Sequence, residues 1–299
     1  MKHNRSAIAL LITLMFVIVI TVAIAYGLKQ VNDATKIVKE ENFLYQKSII
    51  VEDILNILKN SPELQASVEN NSSANFFRLL SQASFIPFEY EGIEIFLSMK
   101  SARAKFNPAM LDEPKVTLLR QYLSNHNVNS QYVDILLDNI RGIKEDNSYN
   151  SNIFDENPYL FRDYIASTKH LEIINDYYTK EYNDNSLEDI DFNALFYYGS
   201  NTNISIDINY ATPEVWEFML NCSRNRAEFL SAGGGYYTSF EDLNLNDDEK
   251  EILTKNFKSS FFEPIIEINL EITLNGQHSK MSFEYDIKKK KGSNFAYEI

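Results

Sequence analysis

The sequence predicts an α+β protein with a long N-terminal transmembrane helix, a small antiparallel sheet and a large all-α insertion. Three observations lead to this prediction. An unbroken apolar run covers residues 7–26, apolar and polar residues alternate at 93–98 and again after residue 265, and the stretch between has mainly helical spacing. The sheet would therefore be assembled from two separated parts of the chain, with helices between them.

The composition is that of a folded, acidic protein. Of the 299 residues, 44% are hydrophobic and 23% are charged, which is typical of a globular chain that buries a core. The chain has 28 Lys and Arg against 42 Asp and Glu, giving a formal charge of −14. Such a surface repels phosphate backbones, so we expect no nucleic-acid partner. Cys222 is the only cysteine, so no disulfide forms within the chain, and it is predicted to be a small buried hydrophobe on a helix.

The N-terminal segment predicts a single membrane span with its start in the cytoplasm. A helix over the 20 apolar residues 7–26 would span about 30 Å of hydrocarbon. Basic residues precede this run and acidic residues follow it, and that asymmetry sets the orientation. The basic residues are Lys2, His3 and Arg5, and the acidic ones are Asp33, Glu40 and Glu41.

From the residues alone, three fates of this segment stay open. It can be an uncleaved anchor. It can be a secretory signal removed after Ala25, because Ala23-Ile24-Ala25 fits the small-residue cleavage pattern. It can also be a prepilin leader removed before the apolar run, because a short basic leader ends at Ala7 and the hydrophobic helix starts at once with Ile8.

Helical spacing continues beyond the apolar run. Apolar residues recur at mostly helical intervals over residues 27–58, and no proline occurs before Pro62, so we expect one long amphipathic helix. A short helix over residues 75–84 follows and is ended by Pro87. Residues 92–107 alternate in part and predict a strand pair or one bent strand.

Helices and a hairpin account for the rest of the chain. Residues 114–243 have mainly helical spacing, broken by two joints rich in Asn, Ser and Tyr. Residues 265–274 and 280–287 alternate on either side of Asn275-Gly276, a strong hairpin signal. Residues 288–291, all lysines, are interpreted as the solvated end of the last strand.

One motif occurs twice, about a hundred residues apart. In the first copy Asn107-Pro108 precedes Asp112-Glu113-Pro114, and in the second Asn209 precedes Thr212-Pro213-Glu214. In the second copy we expect Thr212 to cap a helix, Pro213 to occupy the first helical position and Glu214 to face the positive end of the helix dipole. We interpret both copies as structural scaffold.

The chain resembles the K-type minor pseudopilins of type II secretion systems, within the type IV pilin superfamily. The resemblance rests on the order of the leader, the partial strand before Asn107, the two motif copies and the closing strands. The second copy reads Asp207-Ile208-Asn209-Tyr210-Ala211-Thr212-Pro213-Glu214-Val215, with Asp and Tyr replacing two residues of the family pattern. The resemblance implies a pilin-like fold with a helix-hairpin-helix or SAM-like insertion. The implied boundaries are 1–7 for the leader, 8–60 for the transmembrane and stem helix, 61–106 with 256–299 for the α/β domain, and 107–255 for the insertion.

For the N-terminus, the resemblance implies that a prepilin peptidase cuts after Ala7 and leaves Ile8 as the first mature residue. Most pilins carry Glu at mature position five, where this chain has Ile12. The K-type members lack this carboxylate, which in other subunits is thought to meet the N-terminal amine of the preceding subunit. A subunit without it suits the filament tip. The implied location is the inner membrane, with a single span and the bulk of the chain in the periplasm.

The resemblance implies a non-catalytic role, in which a tip subunit helps to initiate pseudopilus assembly for protein export across the outer membrane. The implied partners are the I- and J-type minor pseudopilins, the major pseudopilin and the inner-membrane secretion platform. Two rivals are a minor pilin of a type IV or competence pilus and a membrane-tethered helix-hairpin-helix DNA-binding protein. The tight Gly-hydrophobic-Gly hairpin of such DNA binders is missing from both copies of the motif.

The K-type family binds calcium in its insertion, and the resemblance places candidate Ca²⁺ ligands at Asp138, Glu145 and Asp146. Arg141 and Gly142 stand where further acidic residues would be expected, so a solvated acidic turn is the alternative.

Other signals for chemistry are weak. The triple glycine at 233–235 lacks the Gly-Lys-Ser/Thr ending of a phosphate loop and predicts a flexible joint. His126 and His170 are isolated in the sequence and are predicted to lie at the surface. Because paired carboxylates do not stand beside a candidate nucleophile or His, we expect no enzymatic activity.

Overall fold

The computed structural model of the chain describes residues 45, 48–69, 73–90, 93–274 and 277–298. The predicted cleavage point between Ala7 and Ile8, the position of Ile12 and the predicted transmembrane helix all lie outside these residues. Among the residues that are described, no helix is long and apolar enough to cross a membrane. The chain divides into two compact units, Met1–Ile57 and Leu58–Ile299.

In the first unit, residues 48–57 are helical. Ile50, Val51 and Ile54 are buried, whereas Glu52 and Asp53 are exposed. Residues three and four positions apart lie on one side of a helix, as Val51 and Ile50 do relative to Ile54. The predicted amphipathic helix is therefore confirmed for this part of the chain.

The second unit contains a five-stranded antiparallel sheet and a small parallel pair. Its strands are β1 (Ile86–Tyr90), β2 (Ile93–Ser101), β3 (Ile206–Asp207), β4 (Ser259–Ser260), β5 (Ile265–Leu274), β6 (Gln277–Asp286) and β7 (Lys291–Glu298). The large sheet has the order β1-β2-β5-β6-β7, and β3 pairs with β4. Its strands β5 and β6 form the predicted hairpin, in which Leu274 pairs with Gln277.

One face of the large sheet is apolar and the other is polar. The register pairs Leu270 with both Leu97 and Met281, and all three side chains are buried. On the polar face, the ammonium of Lys100 lies 3.2 Å from a carboxylate oxygen of Glu267. A register slip of one residue would turn every apolar side chain of a strand toward solvent, so this alternation fixes the pairing.

Three details of the predicted sheet are wrong. Pro87 was predicted to end a helix, but it lies within β1. β1 is an edge strand, and an edge strand tolerates a residue that has no N–H. The strand predicted over residues 92–107 ends at Ser101 and gives way to a turn. The lysines at 288–290 belong to a turn before β7, and Lys290 has a positive φ of 54°.

The helices of the second unit begin with α1 (Pro62–Glu69) and α2 (Ser73–Gln82). The region between β2 and β5 contains α3 (Glu113–Asn125), α4 (Gln131–Asp138), α5 (Ile153–Glu156), α6 (Thr168–Tyr182), α7 (Phe192–Leu195), α8 (Pro213–Leu220), α9 (Arg224–Ala232) and α10 (Asp247–Asn256). Their apolar sides converge on one core that includes the fully buried Trp216 and Phe218.

This helical region is inserted between two neighbouring strands. Ser101 at the end of β2 pairs with Ile266 near the start of β5, and the Ala102 N–H donates to the Ile265 carbonyl at 3.0 Å. The chain thus leaves the sheet and returns to almost the same place. The predicted α+β class, with helices between two parts of one sheet, is confirmed, while the predicted domain boundaries stay a prediction.

Candidate functional site

The first copy of the motif lies shortly after β2, where the chain enters the helical region. Asn107 is only 1% exposed. Its Oδ1 accepts from the Ala109 N–H at 3.0 Å, and its Nδ2 donates to the carbonyls of Gly199 at 3.0 Å and Asn201 at 2.8 Å. Asn107 therefore caps the 3₁₀ turn Pro108–Met110 and fixes the loop after α7.

The second copy lies just after β3 and contacts the segment that leads into β5. Asn209 is 2% exposed. Its Oδ1 accepts from the Tyr237 N–H at 2.9 Å, and its Nδ2 donates to the carbonyls of Tyr237 at 2.9 Å and Phe261 at 2.6 Å. The amide thus ties β3 both to the turn after α9 and to the chain before β5.

The two asparagines use the same pattern of bonds. In each, the side-chain oxygen accepts one backbone N–H and the side-chain nitrogen donates to two backbone carbonyls. A buried amide has one acceptor and two donor hydrogens, and both asparagines use all of these groups. We call these two places the Asn107 junction and the Asn209 junction. The two motif copies recognised in the sequence therefore make equivalent hydrogen bonds in the structure.

Each junction is followed by a capped helix, of which the sequence predicted the cap at Thr212 only. The Asp112 side chain accepts from the Lys115 N–H at 3.2 Å at the start of α3, whose first turn contains Pro114. At α8, Thr212 Oγ1 accepts from the Val215 N–H at 3.2 Å and donates to the Ala194 carbonyl at 2.9 Å, with Pro213 as the first helical residue. These caps satisfy N–H groups that have no partner within the helix.

An aromatic cluster joins the two capped helices. Phe218 of α8 packs edge-on against Phe106 with ring centroids 5.0 Å apart, and against Phe257 at 5.4 Å. Tyr122 of α3 lies 6.4 Å from Phe218. Buried aromatic pairs in this geometry add to the hydrophobic stabilisation of the core. The two copies of the motif thus belong to one packed body.

Asp207 anchors the Asn209 junction to the residues just beyond β2. Its N–H donates to the Arg103 carbonyl at 2.8 Å, and its carboxylate accepts from the N–H groups of Asn209 at 3.0 Å and Glu263 at 2.8 Å. Burial raises the pKa of Asp207 to about 7, although these two N–H bonds oppose the shift.

A buried ion pair reinforces the same contact. The Arg103 guanidinium lies 2.8 Å from a carboxylate oxygen of Glu284 on β6, and the two side chains are only 5% and 7% exposed. The pair stands 181 positions apart in sequence, so no local pattern could have predicted it. Because removing one partner would leave a buried charge, the pair holds the chain after β2 firmly against β6.

The glycines at 233–235 form a packed turn rather than the predicted flexible joint. A Cβ on Gly234 would lie 2.4 Å from the Asn209 carbonyl oxygen, and one on Gly235 would lie 2.5 Å from the Phe77 ring. Gly235 also has a positive φ of 87°. Glycine is required here because backbone approaches backbone at the Asn209 junction.

The candidate calcium ligands are not brought together. Asp138 has a fully buried side chain whose oxygens accept from the N–H groups of Asn150 and Ser151 at 2.8 and 2.9 Å. Asp146 instead accepts from Ser148, at 3.1 Å from its N–H, and Glu145 is exposed. Among the described residues, no group of three or more His, Cys, Asp or Glu side chains could hold a metal. Asp138 thus holds the loop at Asn150 and Ser151, and calcium binding stays a prediction.

Two other expectations need correction. His170 is buried, not at the surface, and its Nδ1 accepts from the Ala166 N–H at 3.2 Å. His126 is half-buried and its Nε2 lies 3.2 Å from Glu217 Oε1.

Cys222 is half-buried and lies between α8 and α9, not on a helix. Burial raises the pKa of its thiol to about 11, so it is a poor nucleophile.

Comparisons with known proteins give a likeness in structure but none in sequence. No protein-family model matches the chain, and no curated protein matches it. It is similar to a chain of the crystal structure of the GspK-GspI-GspJ complex from the enterotoxigenic Escherichia coli type 2 secretion system. The TM-score is 0.48 and the identity is 12%, covering 79% of this chain and 97% of that chain. At this level of similarity nothing about activity or partners carries over.

Proposed function

We propose that the chain is a non-catalytic minor pseudopilin, a tip subunit that helps to initiate the pseudopilus of a type II secretion system. The observation that carries this proposal is the insertion of a helical body between two neighbouring strands of one sheet, held by two matched asparagine junctions. The order of leader, strands and motif copies in the sequence supports it independently.

The chemistry of the junctions fits a structural role. The junctions use side-chain polar groups to bond backbone atoms of the same chain, as Asn107, Asn209 and Asp207 do. Groups held in this way position segments and have little capacity left for a substrate. A large helical body fixed to a small sheet is bulky, which favours the end of a filament over its shaft.

The direct test is genetic and biochemical. Deleting the gene should abolish export by the type II system of the source cell, and the full-length chain should restore it. The chain should also co-purify from detergent-extracted membranes with the I- and J-type minor pseudopilins. Normal export in the deletion strain, together with a chain that co-purifies with neither partner, would refute the proposal.

Two rivals predict different outcomes of the same experiments. A minor pilin of a type IV or competence pilus would affect piliation or DNA uptake and leave export unchanged. A helix-hairpin-helix DNA-binding protein would bind duplex DNA at low salt, with affinity falling steeply as salt is added. The formal charge of −14 argues against this second rival.

A further inference from the structure

A groove of about 610 Å³ lies beside the polar face of the large sheet. It is lined by residues of β2, β5, β6 and β7, by Tyr164 and residues 166–169, and by residues 196–200. Binding sites for small ligands usually enclose 300–1,000 Å³, so this groove is large enough to bind a ligand or a short peptide segment.

The groove carries an excess of positive charge in an acidic protein. Lys100, Lys105 and Lys169 line it, against the carboxylates of Glu267 and Glu284. Both carboxylates already have partners, because Glu267 lies 3.2 Å from Lys100 and Glu284 lies 2.8 Å from Arg103. The negative charges of the groove are therefore already neutralised.

Two of the lysines have no such partner. Within the described part of the chain, the side-chain ammonium groups of Lys105 and Lys169 make no hydrogen bond or ion pair. Lys105 is half-buried, and its pKa is lowered by burial and by the charge of Lys100, while the carboxylates of Glu267 and Asp191 act against this. An unpaired cation at such a place costs free energy that an incoming anion would offset.

The remaining lining suits a peptide. The hydroxyls of Ser167, Thr168 and Tyr198 line the groove. Ser167 Oγ accepts from the His170 N–H at 3.2 Å and keeps its own hydrogen to donate. Thr168 and Tyr198 donate to Asn193 Oδ1 at 3.4 and 2.9 Å, so their oxygens remain able to accept from peptide N–H groups. Thr168 begins α6, a helix of 15 residues with no acidic residue in its first turn, so the positive end of the helix dipole adds to the potential. The lysines come from separate segments, which suits several carboxylates along a chain better than one compact phosphate.

We propose that this groove binds an acidic peptide segment of another protein, with Lys105 and Lys169 contacting its carboxylates. The site goes beyond the proposed assembly role and does not depend on it. A partner recognised here would carry clustered Asp or Glu in an extended stretch. Attraction between such a segment and the groove would be local, since the protein as a whole repels anions.

The test is peptide binding to the purified full-length chain in detergent, with no other subunit present. A fluorescein-labelled hexaglutamate peptide is the probe, and fluorescence anisotropy is the readout. We expect saturable binding at low salt, with Kd raised about two- to fivefold by either Lys105→Gln or Lys169→Gln. The matched control is Lys288→Gln, which removes the same charge from the exposed turn before β7 and should leave Kd unchanged.

Three results would overturn the proposal: no binding at low salt, equal loss of affinity in the control, or displacement of the peptide by pyrophosphate at lower concentration than by unlabelled hexaglutamate. The last result would identify a phosphate site. Lys169 is exposed, so its variant should fold even where the half-buried Lys105 does not tolerate replacement. Because the assay uses this chain alone, its failure is distinguishable from a failure of the proposed role in secretion.

Discussion

At the scale of single residues, Asn107 and Asn209 show how a short polar side chain can hold distant segments together. Each lies in the interior and bonds to three backbone groups, two of them carbonyls. A backbone group buried without a partner destabilises the fold by about 1–3 kcal/mol. Each asparagine therefore stabilises the protein mainly by giving buried backbone groups a hydrogen-bond partner.

Replacing Asn209 with alanine would leave the N–H and carbonyl of Tyr237 and the carbonyl of Phe261 without these partners. We expect the free energy of unfolding to fall by about 3–5 kcal/mol. Urea unfolding followed by fluorescence of Trp216, the only tryptophan and fully buried, measures this loss. Asn203→Ala, at an exposed position, should change stability by less than about 0.5 kcal/mol. Equal effects of the two substitutions would contradict the role given to Asn209.

His170 makes stability depend on pH. Burial lowers the pKa of His170 in the folded state, so folding disfavours the protonated ring. The stability that the neutral ring contributes is present above the unfolded pKa of about 6.5 and is lost as the pH falls below it. The pKa of Asp207 is raised to about 7, which gives the opposite slope, so the two effects overlap.

The pH effect is isolated by comparing wild type with His170→Gln. We expect the difference in their free energies of unfolding to shrink steadily as the pH is lowered from about 7.5 to 5. A constant difference between wild type and His170→Gln across this range would show that the buried ring does not titrate as described.

At the scale of elements, the caps of α3 and α8 show how the motif begins each helix. Thr212 both caps α8 and bonds to the carbonyl of Ala194 at the end of α7. Thr212→Ala should therefore lower the free energy of unfolding by about 1–2 kcal/mol. Thr212→Ser keeps the hydroxyl and should restore most of this loss. If Ser and Ala destabilise α8 equally, the hydroxyl is not the source of the stability.

The turn after α9 gives a second element-scale prediction. A Cβ on Gly234 would lie 2.4 Å from the backbone oxygen of Asn209, and backbone cannot move aside as a flexible side chain can. Gly234→Ala should lower the free energy of unfolding by about 1–3 kcal/mol, measured by the same Trp216 assay. An unchanged midpoint would mean that the turn is the flexible joint predicted from sequence.

The same elements show what sequence can and cannot predict here. The β5–β6 hairpin was predictable because its apolar residues alternate around Asn275-Gly276. β1 was missed because Pro87 suggests the end of an element rather than a residue within a strand. Proline is permitted in β1 because β1 is an edge strand, and that position depends on how the whole sheet is assembled. β7 was missed because its residues are mostly exposed, so burial imposes no alternation on them. The cap at Thr212 was predictable from its place before Pro213, but the distant carbonyl partners of Asn107 and Asn209 were not.

At the largest scale, the unit Leu58–Ile299 is a sheet interrupted by a helical body. The two ends of the insertion meet at Ser101 and Ile266, and Arg103, Asp207 and Glu284 bind this region together. Because contacts so distant in sequence hold the body in place, we expect it to move with the sheet as one piece. That rigidity is what a subunit needs to present a fixed surface at a filament end.

The proposed role also requires that the apolar N-terminal segment stays on the mature protein as an assembly stem. Intact-mass measurement of the native chain, extracted from the membrane fraction of the source cell, tests this most directly. We predict a mass that corresponds to a chain beginning at Ile8. A mass that corresponds to cleavage after Ala25, with the protein recovered in the soluble fraction, would contradict it.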